Sequence, residues 1–325
     1  MVPGLVSSRD ASPPWPRLEL RHSLHLLLAH LVVALVALVG IGGATRVMQA
    51  GLACPDWPLC YGSLLPGNRM NLQVFLEWFH RLDAFLVGLT LLVVSGVAVI
   101  RRRQLPAWLP WGSALALLLV AVQGGLGALT VLRLLEAETV TAHLLTALLL
   151  VLLTAAMAEA LQSSPRLPAS EPPAPGLPRW WLPLPAASTL LLFGQCALGG
   201  AMASRWASTL CLSSGESCRW LLLHRLGAWP AAIGMVLLGL GALALPPAHR
   251  PLRRLALAGA LVVPLQVLLG VLSLRLQLSE PLITVAHQLT AALLVALLGS
   301  VWGRTVPAVL SRAVPAPSIP EMAHG

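Results

Sequence analysis

Leu76-Glu77-Trp78-Phe79-His80-Arg81-Leu82-Asp83-Ala84 opens a long apolar run and carries an imidazole, a guanidinium and carboxylates in close succession. Such groups are costly in lipid, and those found there usually serve a function. The same pattern returns at Leu221-Leu222-Leu223-His224-Arg225-Leu226-Gly227-Ala228, now without a carboxylate. A further histidine follows each copy, in Thr141-Ala142-His143-Leu144 and in Val285-Ala286-His287-Gln288. His80 and His143 are 63 residues apart, and so are His224 and His287. Two equally spaced pairs with shared flanks imply a duplicated helical unit.

Composition sets the environment of that unit. Of 325 residues, 57% are hydrophobic and 10% charged, with a mean hydropathy of +0.81. A soluble domain carries about a quarter charged residues, so the chain reads as a polytopic membrane protein. Lysine is absent, and all 21 basic residues are arginine. The formal charge of +9 does not point to nucleic acid, because the arginines are scattered over short loops. Arg9, Arg17 and Arg21 precede an apolar run without a small-residue cleavage site, which reads as a retained first span and not a signal peptide.

Eight stretches are long enough to cross a bilayer, which takes about 20 apolar residues: 23–44, 72–100, 107–131, 139–161, 180–203, 219–245, 254–275 and 281–303. With the N-terminus inside, the cytoplasmic segments hold 13 arginines and the opposite connections six. That bias favours both termini in the cytoplasm. The expected division is a cytoplasmic tail 1–22, a four-helix bundle 23–161, a Pro-rich linker 162–179, a second bundle 180–303 and a tail 304–325. Further matches link the halves: Gly42-Gly43-Ala44 with Gly199-Gly200-Ala201, and Gln123 to Gly127 with Gln266 to Gly270. The fold class is therefore all-α, eight transmembrane helices in two tandem, pseudo-symmetric four-helix bundles. Because both copies start inside, the repeat is parallel.

On this topology each histidine pair lies on the second and fourth helices of one bundle, near the outer face. Side chains on facing helices are how bundles hold cofactors, and two neutral imidazoles can take both axial positions of a haem iron. A zinc site of the His-Glu-x-x-His type lacks its second histidine. Glu77-x-x-His80 fits one di-iron half-motif, but position 221 is leucine. His22, His25, His249 and His324 sit at interfaces, in a loop or in a tail, and His30 is expected to hydrogen-bond in the core. Glu77 shares a helical face with His80 and has no counterpart in the second half. Either it works at a reaction site in the first half, or it pairs with Arg81 or Arg46. Arg81 and Arg225 are suited to propionate recognition, with helix-stabilising ion pairs as the alternative.

Cys54 and Cys60 fall in the first outer loop, and Cys211 and Cys218 in the third. Short-range pairs on an oxidising face read as disulfides, serving as loop staples or in redox chemistry. Neither forms the Cys-x-x-Cys-His of covalent haem attachment. Cys196 reads as a small buried apolar residue. Cys54-Pro55-Asp56-Trp57-Pro58-Leu59-Cys60 reads as a rigid lid over the first bundle. The glycines at 124, 125, 127, 199 and 200 lie in apolar helices, where they allow close packing or porphyrin clearance and not phosphate binding.

These residues resemble the heme A synthase family. The resemblance rests on Gly42-Gly43-Ala44-Thr45-Arg46, the loop Gly51 to Cys60, Glu77-Trp78-Phe79-His80-Arg81, Thr141-Ala142-His143, His224-Arg225 and His287. It implies oxidation of a ring methyl of haem O to a formyl group, through hydroxylated intermediates, giving haem A for terminal oxidases. It further implies substrate haem on His80 and His143, an essential Glu77, and haem b on His224 and His287. Heme O synthase is the partner it implies, in the plasma membrane and with haem sites near the outer face; a homo-oligomer is compatible. A quinol-linked, bis-histidine haem-b cytochrome and a haem carrier are the alternatives from other classes.

Overall fold

The structure, a computed structural model, describes residues 15–163, 176–204 and 215–310. Most of the Pro-rich linker, the ends of both tails and Cys211 lie outside the described residues, as does the side chain of Cys218, and with them the Cys211–Cys218 pairing. The described residues form α1 (Trp15–Val47), α2 (Leu72–Ile100), α3 (Trp108–Leu132), α4 (Ala137–Ser163), α5 (Pro183–Ser204), α6 (Gly215–Leu243), α7 (Arg250–Arg275) and α8 (Pro281–Leu310). All eight are long and apolar enough to cross a membrane. The first begins well before residue 23, so that Arg17, Arg21 and His22 belong to the helix ahead of the expected span.

Local chemistry sets the ends. Asn71 caps α2, its side-chain oxygen accepting from the Val74 amide at 2.9 Å. The exposed run Arg101-Arg102-Arg103 terminates α2 on the other side. The α3–α4 and α7–α8 turns are alike: Leu134 and Leu135 have φ of 49° and 61°, Gln277 and Leu278 of 51° and 61°. The Leu135 amide donates to the Thr130 carbonyl and the Leu278 amide to the Ser273 carbonyl. Two left-handed non-glycine residues in a row are uncommon, so their recurrence is strong evidence of a repeat.

Packing follows the sequence periodicity. Leu24, Leu28, Leu31, Leu35 and Val39 make one buried stripe on α1, at the spacing of a helix face. Large apolar side chains such as Phe85, Leu190 and Leu261 point outward, which suits lipid and not water. His30 also points outward and has no hydrogen-bond partner among the described residues, contrary to the expected core role. It falls between the buried positions of the α1 stripe, so helix phase turns it away.

In the first half α1 contacts α2 and α4, and α3 contacts α2 and α4. In the second, α5 contacts α6 and α8, and α7 contacts α6 and α8. Across the halves α4 meets α8, α1 meets α8 and α4 meets α5, the α4–α8 contact being the most extensive. One main apolar core runs through helices of both halves. Gly299 and Gly303 on α8 abut the main-chain carbonyls of Leu152 and Ala156 on α4. Glycines four apart let helix backbones approach closely in a membrane. Arg304 pairs with Glu159 at 2.7 Å and donates to the Gln162 side chain at 2.7 Å, fastening the same interface at one end.

Candidate functional site

The four helices that carry the histidines bring them together in pairs. His80 on α2 faces His143 on α4 with ring centroids 6.4 Å apart. His224 on α6 faces His287 on α8 at 6.5 Å. Both pairs line one cavity of about 2200 Å³, more than twice the roughly 1,000 Å³ at the top of the usual range for small-ligand pockets. Its walls come from both halves and are mainly apolar, and Cys196 is a free thiol on them.

Each pair fits a ring-held metal. Imidazole nitrogens sit about 2 Å from a divalent metal, and two on opposite sides of one ion put the ring centroids a little over about 6 Å apart. The observed spans match that value in both halves. Buried Nδ1 atoms of His80 and His143 have no partner among the described residues, whereas Nδ1 of His287 lies 3.1 Å from the Gln266 carbonyl. Nδ1 of His224 lies 3.1 Å from the Gln195 side chain. A ligand histidine normally donates its second N–H to a fixed acceptor; the Gln266 carbonyl is such an acceptor for His287, whereas the Gln195 atom beside His224 is its amide nitrogen, itself a donor. Among the described residues no cluster of three or more His, Cys, Asp or Glu could cage a metal by itself. The donor set therefore suits haem, with two axial histidines and an apolar, roomy surround.

Glu77 is 5% exposed and lines the cavity with His80. One carboxylate oxygen accepts from the Cys54 amide at 2.7 Å, and the other pairs with Arg81 at 2.5 Å. Arg81 also donates to the carbonyls of Asp56 at 2.6 Å, Leu59 at 2.5 Å and Cys54 at 3.3 Å. Arg81 is thus the peg on which the loop between α1 and α2 hangs. The loop is closed by a Cys54–Cys60 disulfide, both cysteines buried, and Trp57, Pro58 and Leu59 roof the cavity. The expected lid and its disulfide are both present. Arg225 lines the cavity without a hydrogen-bond partner among the described residues.

The lid has its own acid-sensitive element. Asp56 accepts from the Tyr61 amide at 2.6 Å and the Gly62 amide at 2.8 Å. The Gly62 amide foremost, with help from Tyr61 and Arg81, holds its carboxyl below the usual carboxylate range. A carboxyl whose pKa falls on folding stabilises above its unfolded pKa, and that contribution disappears as pH drops through the folded value. Protection of the Tyr61 and Gly62 amides from hydrogen exchange should therefore persist at neutral pH and fade only below about pH 3.8. In Asp56→Asn this acid step should be absent.

Comparison with known proteins follows the same residues. Residues 25–298 match the family described as COX15-CtaA, cytochrome oxidase assembly protein. The chain belongs to that family. Within it, the chain is 30% identical over 318 residues to the Heme A synthase of Sphingopyxis alaskensis, covering 80% of this chain and 86% of that one. It is 29% identical over 329 residues to the Heme A synthase of Erythrobacter litoralis, covering 83% and 92%. A stretch of 203 residues is 32% identical to the Heme A synthase of Shewanella oneidensis, covering 57% of this chain and 58% of that one.

Three glutamines at the histidines escaped the sequence reading as site residues. Gln123 approaches Nε2 of His143 at 3.2 Å, and Gln195 and Gln266 stand at His224 and His287. Each precedes a cavity glycine by four residues, in Gln123/Gly127, Gln195/Gly199 and Gln266/Gly270. That shared spacing is the signal by which they were detectable.

Proposed function

We infer that this protein is a heme A synthase, an oxidoreductase that converts a ring methyl of haem O into a formyl group. The observation carrying this reading is the asymmetry of two otherwise matching histidine pairs: among the described residues only the His80–His143 pair has a buried carboxylate beside it, Glu77. Membership of the cytochrome oxidase assembly family supports it, as do the names of the relatives. His80 and His143 would hold the substrate by its iron. His224 and His287 would hold a resident haem b, which when bound supplies one-electron redox chemistry that no side chain here offers.

The chain's own residues do the rest. Glu77 presents a fixed carboxylate to the cavity beside His80, placed to take a proton or to face positive charge developing at the methyl carbon. Arg81 orients that carboxylate and, through the loop carbonyls, keeps the lid over the cavity. Apolar walls exclude water from the reacting edge. Arg225, without an ion-pair partner among the described residues, is a cation for a haem propionate. The contact pattern and the repeated turns support two four-helix bundles joined by the linker. The arginine bias supports cytoplasmic termini and haem sites near the outer face of the plasma membrane. Heme O synthase is the expected source of substrate.

The test is extraction of non-covalent haems from protein purified out of cells that make haem O, resolved by chromatography with mass detection. Haem A or hydroxylated haem O beside haem b is expected. His80→Ala or His143→Ala should lose the modified haem and keep haem b, and His224→Ala or His287→Ala should lose haem b. Haem b alone, at about two per chain as two bis-histidine sites would hold, would make the protein an electron-transfer cytochrome.

A further inference from the structure

We propose that Gly42, Gly127, Gly199 and Gly270 are seats for the four histidine rings and set the span of each pair. The inference rests on the haem-ligand reading above. Each histidine lies against a glycine of the helix that precedes its own in the chain: His80 against Gly42 of α1, His143 against Gly127 of α3, His224 against Gly199 of α5 and His287 against Gly270 of α7. A methyl group placed on these glycines would meet the ring carbon Cε1 at 3.1 Å for Gly42, 3.3 Å for Gly127, 3.0 Å for Gly199 and 2.8 Å for Gly270. In all four the same ring atom is touched. Gly124, which lines the same cavity, has nothing within 4 Å of such a methyl, so ring contact is not a general property of cavity glycines.

Carbon atoms pack at about 3.5–4.0 Å, so any side chain at a seat would occupy space the ring already fills. The ring would then swing off its rotamer or the two helices would part. Either response alters a span that must stay close to two metal–nitrogen bonds. The seats also differ between halves. Those under His224 and His287 are tighter than those under His80 and His143. Nδ1 of His224 faces the Gln195 side-chain amide and Nδ1 of His287 the Gln266 carbonyl, while Nδ1 of His80 and of His143 has no partner among the described residues. A ring free at Nδ1 can yield to a methyl; a tied ring cannot. Alanine is therefore tolerated least at Gly270 and most at Gly127.

The experiment compares Gly270→Ala, Gly199→Ala and Gly127→Ala with Gly124→Ala as the control, all as full-length protein in detergent. Electron paramagnetic resonance and absorption spectra of the ferric protein read axial ligation, and titration with haem b reads affinity. Gly270→Ala should bind haem b about tenfold more weakly, the low end for disturbed ligand orientation at a metal site. Its low-spin signal should convert partly to high spin and return on adding imidazole. Gly199→Ala should shift the same way by less, Gly127→Ala least of the three, and Gly124→Ala should leave the haem b signal unchanged. If Gly270→Ala does not fold, Gly199→Ala decides. A wild type without low-spin bis-imidazole haem would overturn the ligand reading itself. A normal wild type with Gly270→Ala and Gly199→Ala indistinguishable from it would overturn the seats alone.

Discussion

Glu77→Ala is expected to lower haem A formation by at least about a hundredfold, the low end of what a lost acid–base group costs, with haem b content unchanged. Two separate losses contribute. The cavity loses its carboxylate beside His80. The lid loses an anchor, because the buried Cys54 amide and the Arg81 guanidinium both bond to Glu77. Orphaning a buried amide costs about 1–3 kcal/mol, and stripping one member from a buried ion pair about 3–5 kcal/mol. Arg81 retains its three loop carbonyls, which holds the loss toward the lower figure.

Glu77→Gln separates the two. It keeps an acceptor for the Cys54 amide but carries no charge and cannot shuttle a proton. Hydrogen exchange at residues 53–60 reports the lid, and haem extraction reports the reaction. A protected lid with no haem A assigns the defect to chemistry. Near-normal haem A in Glu77→Gln beside an exposed lid in Glu77→Ala would make Glu77 an anchor only. Full conversion in both variants would remove it from the reaction.

The largest effect on stability is expected at the α4–α8 contact. A methyl on Gly303 would run into the Ala156 carbonyl, and one on Gly299 into the Leu152 carbonyl. Main chain cannot swing aside as a side chain does, so the helices must separate. Separation would also strain the Arg304–Glu159 pair one turn on. Overpacking a well-filled core typically costs about 1–3 kcal/mol, and here a bulky residue acts on the most extensive contact between the halves. Gly303→Val should therefore abolish monodisperse protein in detergent or lower its thermal midpoint by several degrees. Gly125→Val, where added atoms meet open space, should not. Equal melting of the two variants would show that the α4–α8 contact does not carry the fold.

How much was legible beforehand depended on whether a feature is periodic or pairwise. Spans were readable because lipid demands long uninterrupted apolar runs, and α2 falls on the expected 72–100. The pairing of His80 with His143 and of His224 with His287 was readable from equal spacing and repeated flanks. The start of α1 was not, because arginines and histidines at the end of an apolar run continue a helix as readily as they end one. Arg81 shows the limit best. Its motif suggested propionates or an ion pair, and only folding brings the carbonyls of Cys54, Asp56 and Leu59 to it across more than twenty residues.

The sequence by itself determined the eight spans, the repeated motifs, the equally spaced histidine pairs and Glu77 three residues before His80, since each is a matter of residue type and interval along the chain. Tertiary structure alone decided the rest: that Gly299 and Gly303 bear on α4, that Glu77 latches the disulfide loop, and that each ring rests on a glycine of the preceding helix. Those contacts depend on rotation and depth of one helix against another. Interhelical packing sets both, and no interval within a single helix encodes them.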